Sequence, residues 1–342
     1  WIPGGMAVVD IVASMIFAAM TGAGAATTAA VGGIMIPYME EDGYDPGFAS
    51  AIQTVGGVFG PIIPPSILMV LYAVASNESV SDMLLAGLIP GLFLGLILIL
   101  VVVAQCIKKG YRGAGKFELG AAIKSFGHAF FALLAPVIIL GGIYSGKTTP
   151  TEASAICCFY CLVIGLFVYR EIKLKDVCKI VYGGVKSAAG IMLIVAATQV
   201  FGWVITRAGI PQNIATMFTS SISSPLMFML SVVVILLVAG CFIDAVPALL
   251  IFAPIFCPTA QAYGINLVYF GVVMVIVLCI GLATPPVGIN LYVASSVGGQ
   301  PVHKIIPHLP IPLLAIFIGT MLVILIPDIV IFLPNLMNGA AG

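Results

Sequence analysis

The chain has 342 residues, of which 61% are hydrophobic and only 8% are charged. So few polar side chains could not cover a soluble domain of this size, so soluble globular classes are excluded. The 13 basic and 13 acidic residues give a formal net charge of zero, which argues against a nucleic-acid partner. The composition predicts an all-α polytopic membrane protein.

The first apolar stretch, Asp10–Met39, contains the sequence TGAGAATTAA at its centre (Thr21–Ala30). If the helix breaks there, each arm has about 11 residues and a length of about 17 Å, which is too short to cross a bilayer. We therefore expect a re-entrant helical hairpin. A single long kinked span is the alternative.

Two later stretches each place adjacent prolines inside an apolar run: GPIIPPSILMVLYAVAS (Gly60–Ser76) and GLATPPVGINLYVASS (Gly281–Ser296). Proline lacks the N–H that a helix needs and disfavours helical geometry in the residue before it. Each stretch therefore predicts a discontinuous helix. Pro225–Tyr263, with CFIDAVPA at its centre, predicts either a second hairpin or two ordinary spans.

The remaining apolar runs approach or reach the roughly 20 residues that cross a hydrocarbon core. They are Met83–Cys106, Phe130–Ser145, Ala153–Tyr169, Ser187–Thr206 and Leu309–Pro327. The basic loops Lys108–Lys116 and Tyr169–Lys179 are both placed in the cytoplasm by the positive-inside rule, and the C-terminus is then outside.

The two halves of the chain share a pattern of glycine and proline at an offset of 221 residues. The shared positions are Ile34, Pro37, Gly43, Gly60, Pro64 and Pro65, which fall on Ile255, Pro258, Gly264, Gly281, Pro285 and Pro286. The first broken helix is predicted to run outward and the second inward. This predicts an inverted repeat, an architecture that many secondary transporters use.

Broken helices inside a bilayer are tolerated where their backbone is buried or lines a polar cavity. Because proline has no N–H, the carbonyl four residues before it is left without a helical donor. The resulting candidates for backbone ligands of a small cation are Gly60, Pro61, Gly281 and Leu282. The alternative is that the two breaks are only kinks that help the helices pack and bind no ion.

Polar side chains near these breaks are few. Thr21, Thr27 and Thr28 lie at the first tip, whereas Ser66, Thr284 and Asn290 flank the two breaks. Asp244 lies at the second tip. We interpret it as the only acidic residue that is inside an apolar run and distant from the basic loops. An intramembrane carboxylate suggests function, and a helix N-cap is the alternative role. Glu152 in TPTEAS is expected to cap the helix that begins there.

Several motifs closely resemble the large membrane subunit of the tripartite ATP-independent periplasmic (TRAP) transporters. They are GAGAATTAAVGGIMIP, GYDPGFASAI, GPIIPPSILMVLY, TPTEAS, FIDAVPALLIFAPIF and GLATPPVGINLYVAS, and together they extend over almost the whole chain. Family members normally begin with further helices. The start of this chain at WIPGGMAVVD, without a signal peptide or an initial Met, therefore suggests a partial chain.

The resemblance implies sodium-driven uptake of an organic acid such as a C4-dicarboxylate, with no cofactor besides the coupling ion and no enzymatic activity. The implied partners are a small membrane (Q) subunit and a periplasmic substrate-binding (P) protein in the bacterial inner membrane. The implied fold is that of the ion-transporter superfamily, with two re-entrant hairpins and an elevator mechanism. The implied division is a transport domain (1–76 and 225–299), scaffold helices (77–224) and a last scaffold helix (300–342).

The tips and breaks then supply the candidate sites. The sodium-binding candidates are Thr21, Gly22, Gly60, Pro61, Asp244, Gly281, Leu282 and Thr284. The substrate-binding candidates are Thr27, Thr28, Ser66 and Asn290. The rival functions are a stand-alone sodium/carboxylate transporter of the same superfamily and an ion channel. An intramembrane enzyme is disfavoured, since no His lies within an apolar run and no Ser–His or HExxH pattern exists.

Overall fold

The computed structural model describes residues 3–111 and 119–339, and within these ranges the chain is helical, with no strand. Residues 1–2, 112–118 and 340–342 lie outside this description, together with most of the predicted basic loop Lys108–Lys116. Among the described residues, six helices are long and apolar enough to cross a membrane, or seven if one bent helix pair near the C-terminus counts as a span. The expectation of an all-α polytopic membrane protein is confirmed.

The chain divides into two compact units, one formed by residues 1–115 and 201–342 and the other by residues 116–200. The first unit contains both predicted hairpins and both proline pairs. It also contains the apolar run Met83–Cys106, which the sequence assigned to the scaffold. The predicted division into a transport domain and a scaffold stays a prediction.

The first unit begins with five helices. They are α1 (Gly5–Thr21), α2 (Gly24–Glu41), α3 (Pro46–Gly56), α4 (Ile67–Ser76) and α5 (Val80–Lys109). Helices α1 and α2 pack together as a hairpin, and α2 also packs on α3. Where a helix has a side-chain N-cap, the capping residue explains why the helix begins there. For example, the Asp45 carboxylate accepts a hydrogen bond from Phe48 N at the start of α3, with Pro46 in the first turn.

The turn between α1 and α2 is much shorter than the sequence suggested. Only Gly22 and Ala23 separate the helices, and Gly22 has the left-handed φ of 62° that glycine tolerates. The arms have 17 and 18 residues, a length of about 26 Å each. The arm length of about 11 residues that the sequence suggested is therefore wrong. Neither arm is among the described helices that are long and apolar enough to cross a membrane, so the re-entrant hairpin stays a prediction. Packing of α2 against α1, α3 and a later helix outweighs the low helix propensity of its glycines and threonines.

The second half of the first unit contains the other helices. They are α9 (Ile210–Ser221), α10 (Pro225–Phe242), α11 (Ala245–Ala262), α12 (Leu267–Ala283), α13 (Ile289–Gly298), α14 (Val302–Ile305), α15 (Pro310–Leu325) and α16 (Asp328–Gly339). Helices α10 and α11 have 18 residues each, and both satisfy the criteria for a span. Both interpretations of α10 and α11, as two ordinary spans or as a hairpin, therefore remain possible.

Helix α12 is the centre of the first unit, because all 17 of its residues are buried. It packs against α4, α5, α10, α11 and α15. Its side chains are almost all large and aliphatic or aromatic, except at Gly271, Gly281 and a few other small positions. A methyl group built on Gly281 would lie only 2.5 Å from the carbonyl carbon of Gly240 in α10, so the two backbones touch there.

The second unit contains α6 (Leu119–Tyr144), α7 (Pro150–Val163), a π-helical turn (Ile164–Val168) and most of α8 (Leu174–Arg207). The predicted capping role of Glu152 is confirmed. Thr149 N donates to its carboxylate at 2.8 Å, and Glu152 N donates to Thr149 Oγ1 at 3.3 Å, which forms a capping box.

Candidate functional site

The first helix break lies between α3 and α4. Helix α3 tightens into a 3₁₀ turn at Gly57–Phe59, and the chain stays irregular until α4 starts at Ile67. Ser66 caps α4 by accepting a hydrogen bond from Met69 N at 3.2 Å, while its hydroxyl donates to Pro61 O at 2.5 Å. The helix is thus interrupted at Pro64 and Pro65, as the sequence predicts.

The second break lies between α12 and α13 and is shorter. Helix α12 ends at Ala283, Thr284 has extended φ and ψ angles, and α13 starts at Ile289 after Gly288. Thr284 N donates to Gly281 O at 3.0 Å, and its hydroxyl donates to Ile280 O at 2.7 Å. The second helix is therefore also interrupted at its proline pair, Pro285 and Pro286.

Each hairpin tip packs on the break of its own half. A methyl group built on Gly22 would lie 2.9 Å from Pro65 O, and one built on Gly60 would lie 2.5 Å from Ala23 O. In the second half, Gly288 N donates a long hydrogen bond of 3.5 Å to Cys241 O. The glycines at the first tip and first break are needed because any side chain there would collide with backbone.

The two halves meet at Asn290, in the first turn of α13. Its side chain is fully buried, and neither atom of its amide has a hydrogen-bond partner among the described residues. A methyl group built on Gly24 would lie 3.0 Å from Asn290 Oδ1 and 3.1 Å from Gly57 O. The second half therefore reaches the first tip and the first break at one point.

Oxygen atoms converge at this point. A methyl group built on Gly57 would overlap Thr28 Oγ1 and would lie 3.0 Å from Asn290 Nδ2 and 3.1 Å from Gly24 O. We call the carbonyl oxygens of Gly24 and Gly57, Thr28 Oγ1 and Asn290 Oδ1 the oxygen cluster. A buried, unpaired amide costs about 1–3 kcal/mol, so a native structure that holds one usually has a reason for it. Oxygen ligands without a positive side chain suit a small hard cation.

The threonines of the first tip bond mainly to one another and to backbone. Thr27 and Thr28 are fully buried and Thr21 is half-buried. Thr21 Oγ1 and Thr27 Oγ1 share a hydrogen bond of 2.8 Å, and the hydroxyls of Thr27 and Thr28 donate to Ala23 O and Gly24 O at 3.0 Å. Each hydroxyl oxygen still has a lone pair that can accept a hydrogen bond or coordinate an ion.

The four carbonyls predicted to be bare divide into two pairs. Pro61 O accepts the Ser66 hydroxyl, and Gly281 O accepts Thr284 N. For Gly60 O and Leu282 O, the residues three and four positions later supply no bond, and no other donor is recorded within the described ranges. The lack of a proline N–H leaves these last two carbonyls unpaired, while local turns occupy the other two.

Asp244 stands at the N-cap position of α11, between the two helices of the second pair. Its side chain is exposed and makes no capping hydrogen bond, although Ala248 N donates to its backbone carbonyl at 3.1 Å. The backbone thus adopts the cap conformation while the carboxylate stays free to meet an ion. The sodium role of this residue stays a prediction.

Sequence reasoning missed a buried polar group beneath the first tip. Asp10 in α1 and Gln53 in α3 are both fully buried, and Ser14 lies beside them. The statement that Asp244 is the only acid inside an apolar run is therefore wrong. The acid within the run MAVVDIVAS was a visible signal, but Asp10 was read only as the edge of the hairpin.

Comparisons with known proteins give a consistent family. A family model described as "Tripartite ATP-independent periplasmic transporter, DctM component" matches residues 1–329. The chain is 41% identical to the C4-dicarboxylate TRAP transporter large permease protein DctM of Pseudomonas aeruginosa over 98% of this chain and 78% of that protein. It is 38% identical to the sialic acid TRAP transporter large permease protein SiaM of Vibrio cholerae over 99% and 79%.

A third relative is the isethionate TRAP transporter permease protein DctMQ of Oleidesulfovibrio alaskensis, which is 37% identical over 94% of this chain and 51% of that longer protein. The matches extend through both hairpins, both breaks and the second unit. The chain therefore belongs to the family of large membrane permeases of the tripartite ATP-independent periplasmic transporters.

Proposed function

We propose that this chain takes up an organic anion by sodium-coupled secondary transport, and that a periplasmic binding protein delivers the solute. The observation that carries the proposal is the buried, unpaired amide of Asn290 beside the carbonyls of Gly24 and Gly57. A sodium ion in the oxygen cluster would pair this amide oxygen and join the two halves of the chain.

A second sodium would lie at the second tip. The unpaired carbonyl of Leu282, the hydroxyl of Thr284 and the carboxylate of Asp244 belong to this region, and Asp244 supplies the negative charge that the first cluster lacks. Gly60 O, Thr21 and Gly22 stay candidates at the first tip, while the occupied carbonyls of Pro61 and Gly281 are weaker ones.

The solute is proposed to be an anion, because the names of the relatives cited above specify a dicarboxylate, sialic acid and isethionate. Four helices begin at a tip or just after a break: α2 starts at Gly24, α4 at Ile67, α11 at Ala245 and α13 at Ile289. Their dipoles and the bound sodium would hold the anion without an arginine. Thr27 and Ser66 keep their proposed solute role, whereas the geometry favours the cation for Thr28 and Asn290.

Coupling requires the solute to bind the sodium-loaded form better than the empty form, and a tenfold preference corresponds to about 1.4 kcal/mol. We propose that the hairpins and broken helices then move as one body by the elevator mechanism. The small membrane subunit and lipid would cover α8, most of whose large apolar side chains are exposed.

The test is solute uptake into liposomes that contain the complete transporter, with the binding protein outside and the sodium concentration varied. The Asn290→Ala variant is expected to raise the half-saturating sodium concentration by roughly tenfold or more, the factor for one buried bond to a charge. Asn266→Ala is the matched control, since Asn266 caps α12 through Tyr269 N and lies outside the cluster. Unchanged sodium dependence in Asn290→Ala would remove the site.

Two further measurements distinguish the proposed function from the rival functions. Uptake that needs no binding protein would indicate a stand-alone sodium/carboxylate transporter. A conductance that does not saturate with solute would indicate a channel.

A further inference from the structure

Asp10 lies in the middle of α1 and has no solvent-exposed surface. Its neighbours are the side chain of Gln53 in α3 and, through that amide, Ser14. No basic side chain among the described residues lies within 4.0 Å of its carboxyl group. This carboxyl group belongs to none of the proposed ion or solute sites, so it needs its own explanation.

The amide of Gln53 links this carboxyl group to the first tip. Its nitrogen donates to Thr27 O and Thr28 O at 3.4 Å each, and its oxygen accepts the Ser14 hydroxyl at 3.4 Å. That oxygen lies 2.5 Å and 3.2 Å from the two carboxyl oxygens of Asp10. Helices α1, α2 and α3 thus meet at one amide.

An ionised carboxylate does not fit this arrangement, because two acceptors would face each other at the shorter distance. Turning the amide round would give the carboxylate an N–H donor, but the amide oxygen would then face the carbonyls of Thr27 and Thr28. A protonated carboxyl group satisfies both ends at once. The 2.5 Å separation lies in the usual range for O–H···O bonds, about 2.5–3.0 Å, and below that for N–H···O bonds, about 2.7–3.2 Å.

The surroundings also disfavour the ionised form. A buried carboxylate needs a cation or several donors, and among the described residues the Gln53 amide is the only polar group recorded within hydrogen-bond distance of it. The charged and titratable side chains of the helices packed on α1 stand near helix ends: Tyr38, Glu40 and Glu41 at the end of α2, Asp82 at the start of α5, and Cys106, Lys108 and Lys109 at its end. Helix α3 has none.

We propose that Asp10 holds a proton and, through it, positions the first tip. The O–H of its carboxyl group donates to Gln53 Oε1, which fixes the amide so that Nε2 holds the carbonyls of Thr27 and Thr28. Loss of the proton turns the amide round and releases both carbonyls. Asp10 is therefore a positioning residue for the tip and touches neither solute nor sodium.

The first experiment observes the proton directly. Infrared spectra of the purified complete transporter at neutral pH, wild type minus Asp10→Asn, are expected to contain the C=O band of a buried carboxylic acid. A difference spectrum that contains only carboxylate bands overturns the proposal. This readout does not depend on sodium, so a failure of sodium coupling leaves it unaffected and the two ideas fail separately.

The second experiment measures the positioning role. Asp10→Asn keeps a donor toward Gln53 Oε1, whereas Asp10→Ala removes it, so KM for the solute is expected to rise by about tenfold more in the alanine variant. Gln53→Ala and the double alanine variant complete a cycle, in which the two changes are expected to be non-additive because both break one linkage. Additive effects, or equal KM values for Asp10→Asn and Asp10→Ala, refute the linkage. Thermal unfolding midpoints identify any variant whose fold is lost, and the infrared result then decides.

Discussion

Gly281→Ala tests whether contact between the backbones of α10 and α12 holds the second break in place. The new Cβ would lie 2.5 Å from Gly240 C, 2.6 Å from Gly240 Cα and 2.9 Å from Gly240 O. Ordinary contact starts near 3.4 Å, so one helix would have to move by 3.4 − 2.5 = 0.9 Å at this point. The obstacle is backbone, which cannot rotate away as a side chain can.

The structure gives a lower bound on how much Gly281→Ala reduces the free energy of unfolding. Helix α12 is buried on every side, so it cannot shift outward without disturbing α4, α5 or α15. Overpacking of a tight core costs about 1–3 kcal/mol, and a backbone obstacle belongs at the upper end of that range. At about 2–4 °C per kcal/mol, we expect the thermal unfolding midpoint to fall by at least about 5 °C.

The assay is thermal unfolding of the purified transporter in detergent, followed by sodium-dependent uptake in liposomes. Gly33→Ala is the matched control, because a Cβ there would meet only Val297 Cγ1 at 3.7 Å, and alanine in a helix is worth up to about 1 kcal/mol over glycine. If Gly281→Ala unfolds at the wild-type temperature with wild-type sodium dependence, the close contact neither stabilises the protein nor sets the ion site.

Two further predictions concern contacts away from the sites. Tyr72→Phe removes a buried hydroxyl that donates to Leu267 O at 2.8 Å, so it should destabilise the α4–α12 contact by about 1 kcal/mol in thermal unfolding, and an unchanged midpoint would contradict this. At the end of α5, Lys109 Nζ donates to His308 Nδ1 at 3.3 Å while His308 Nε2 donates to Asp45 Oδ1 at 3.0 Å, which requires a neutral imidazole. Burial and the nearby Lys109 ammonium group lower the pKa of His308 from its ordinary value, and protonation would place a second N–H against that ammonium group. This contact should therefore persist at neutral pH and weaken as pH falls through the lowered pKa. His308→Gln should remove that pH dependence from hydrogen exchange of the nearby amides.

The sequence predicted what local backbone chemistry decides. Adjacent prolines interrupt both helices because they lack N–H groups, and the glycine at position 22 ends α1 in a left-handed conformation. The capping box at Thr149 and Glu152 was likewise readable from residue types and their spacing. Each of these features depends on a few residues that are adjacent in the chain, so the local sequence was sufficient to predict it.

The sequence did not predict what tertiary packing decides. The threonines of the first tip looked like a loop, yet α2 includes them because it packs on α1, α3 and α13. Asn290 was assigned to the solute because it follows a break, and only the fold shows that it meets Gly24 and Gly57 of the other half. Asp10 and Gln53 are 43 residues apart in the chain, and no periodic pattern connects them.

These contacts explain why glycines stand at the tips and breaks of both halves. Gly24 and Gly57 leave room for Asn290, Gly60 leaves room for Ala23 O, and Gly281 leaves room for Gly240. A side chain at any of these positions would separate a tip from its break or one half from the other. An ion that binds the oxygen cluster therefore contacts both halves, so its binding energy can favour one arrangement of the tips over another. This is the physical requirement for coupling ion binding to movement of the solute.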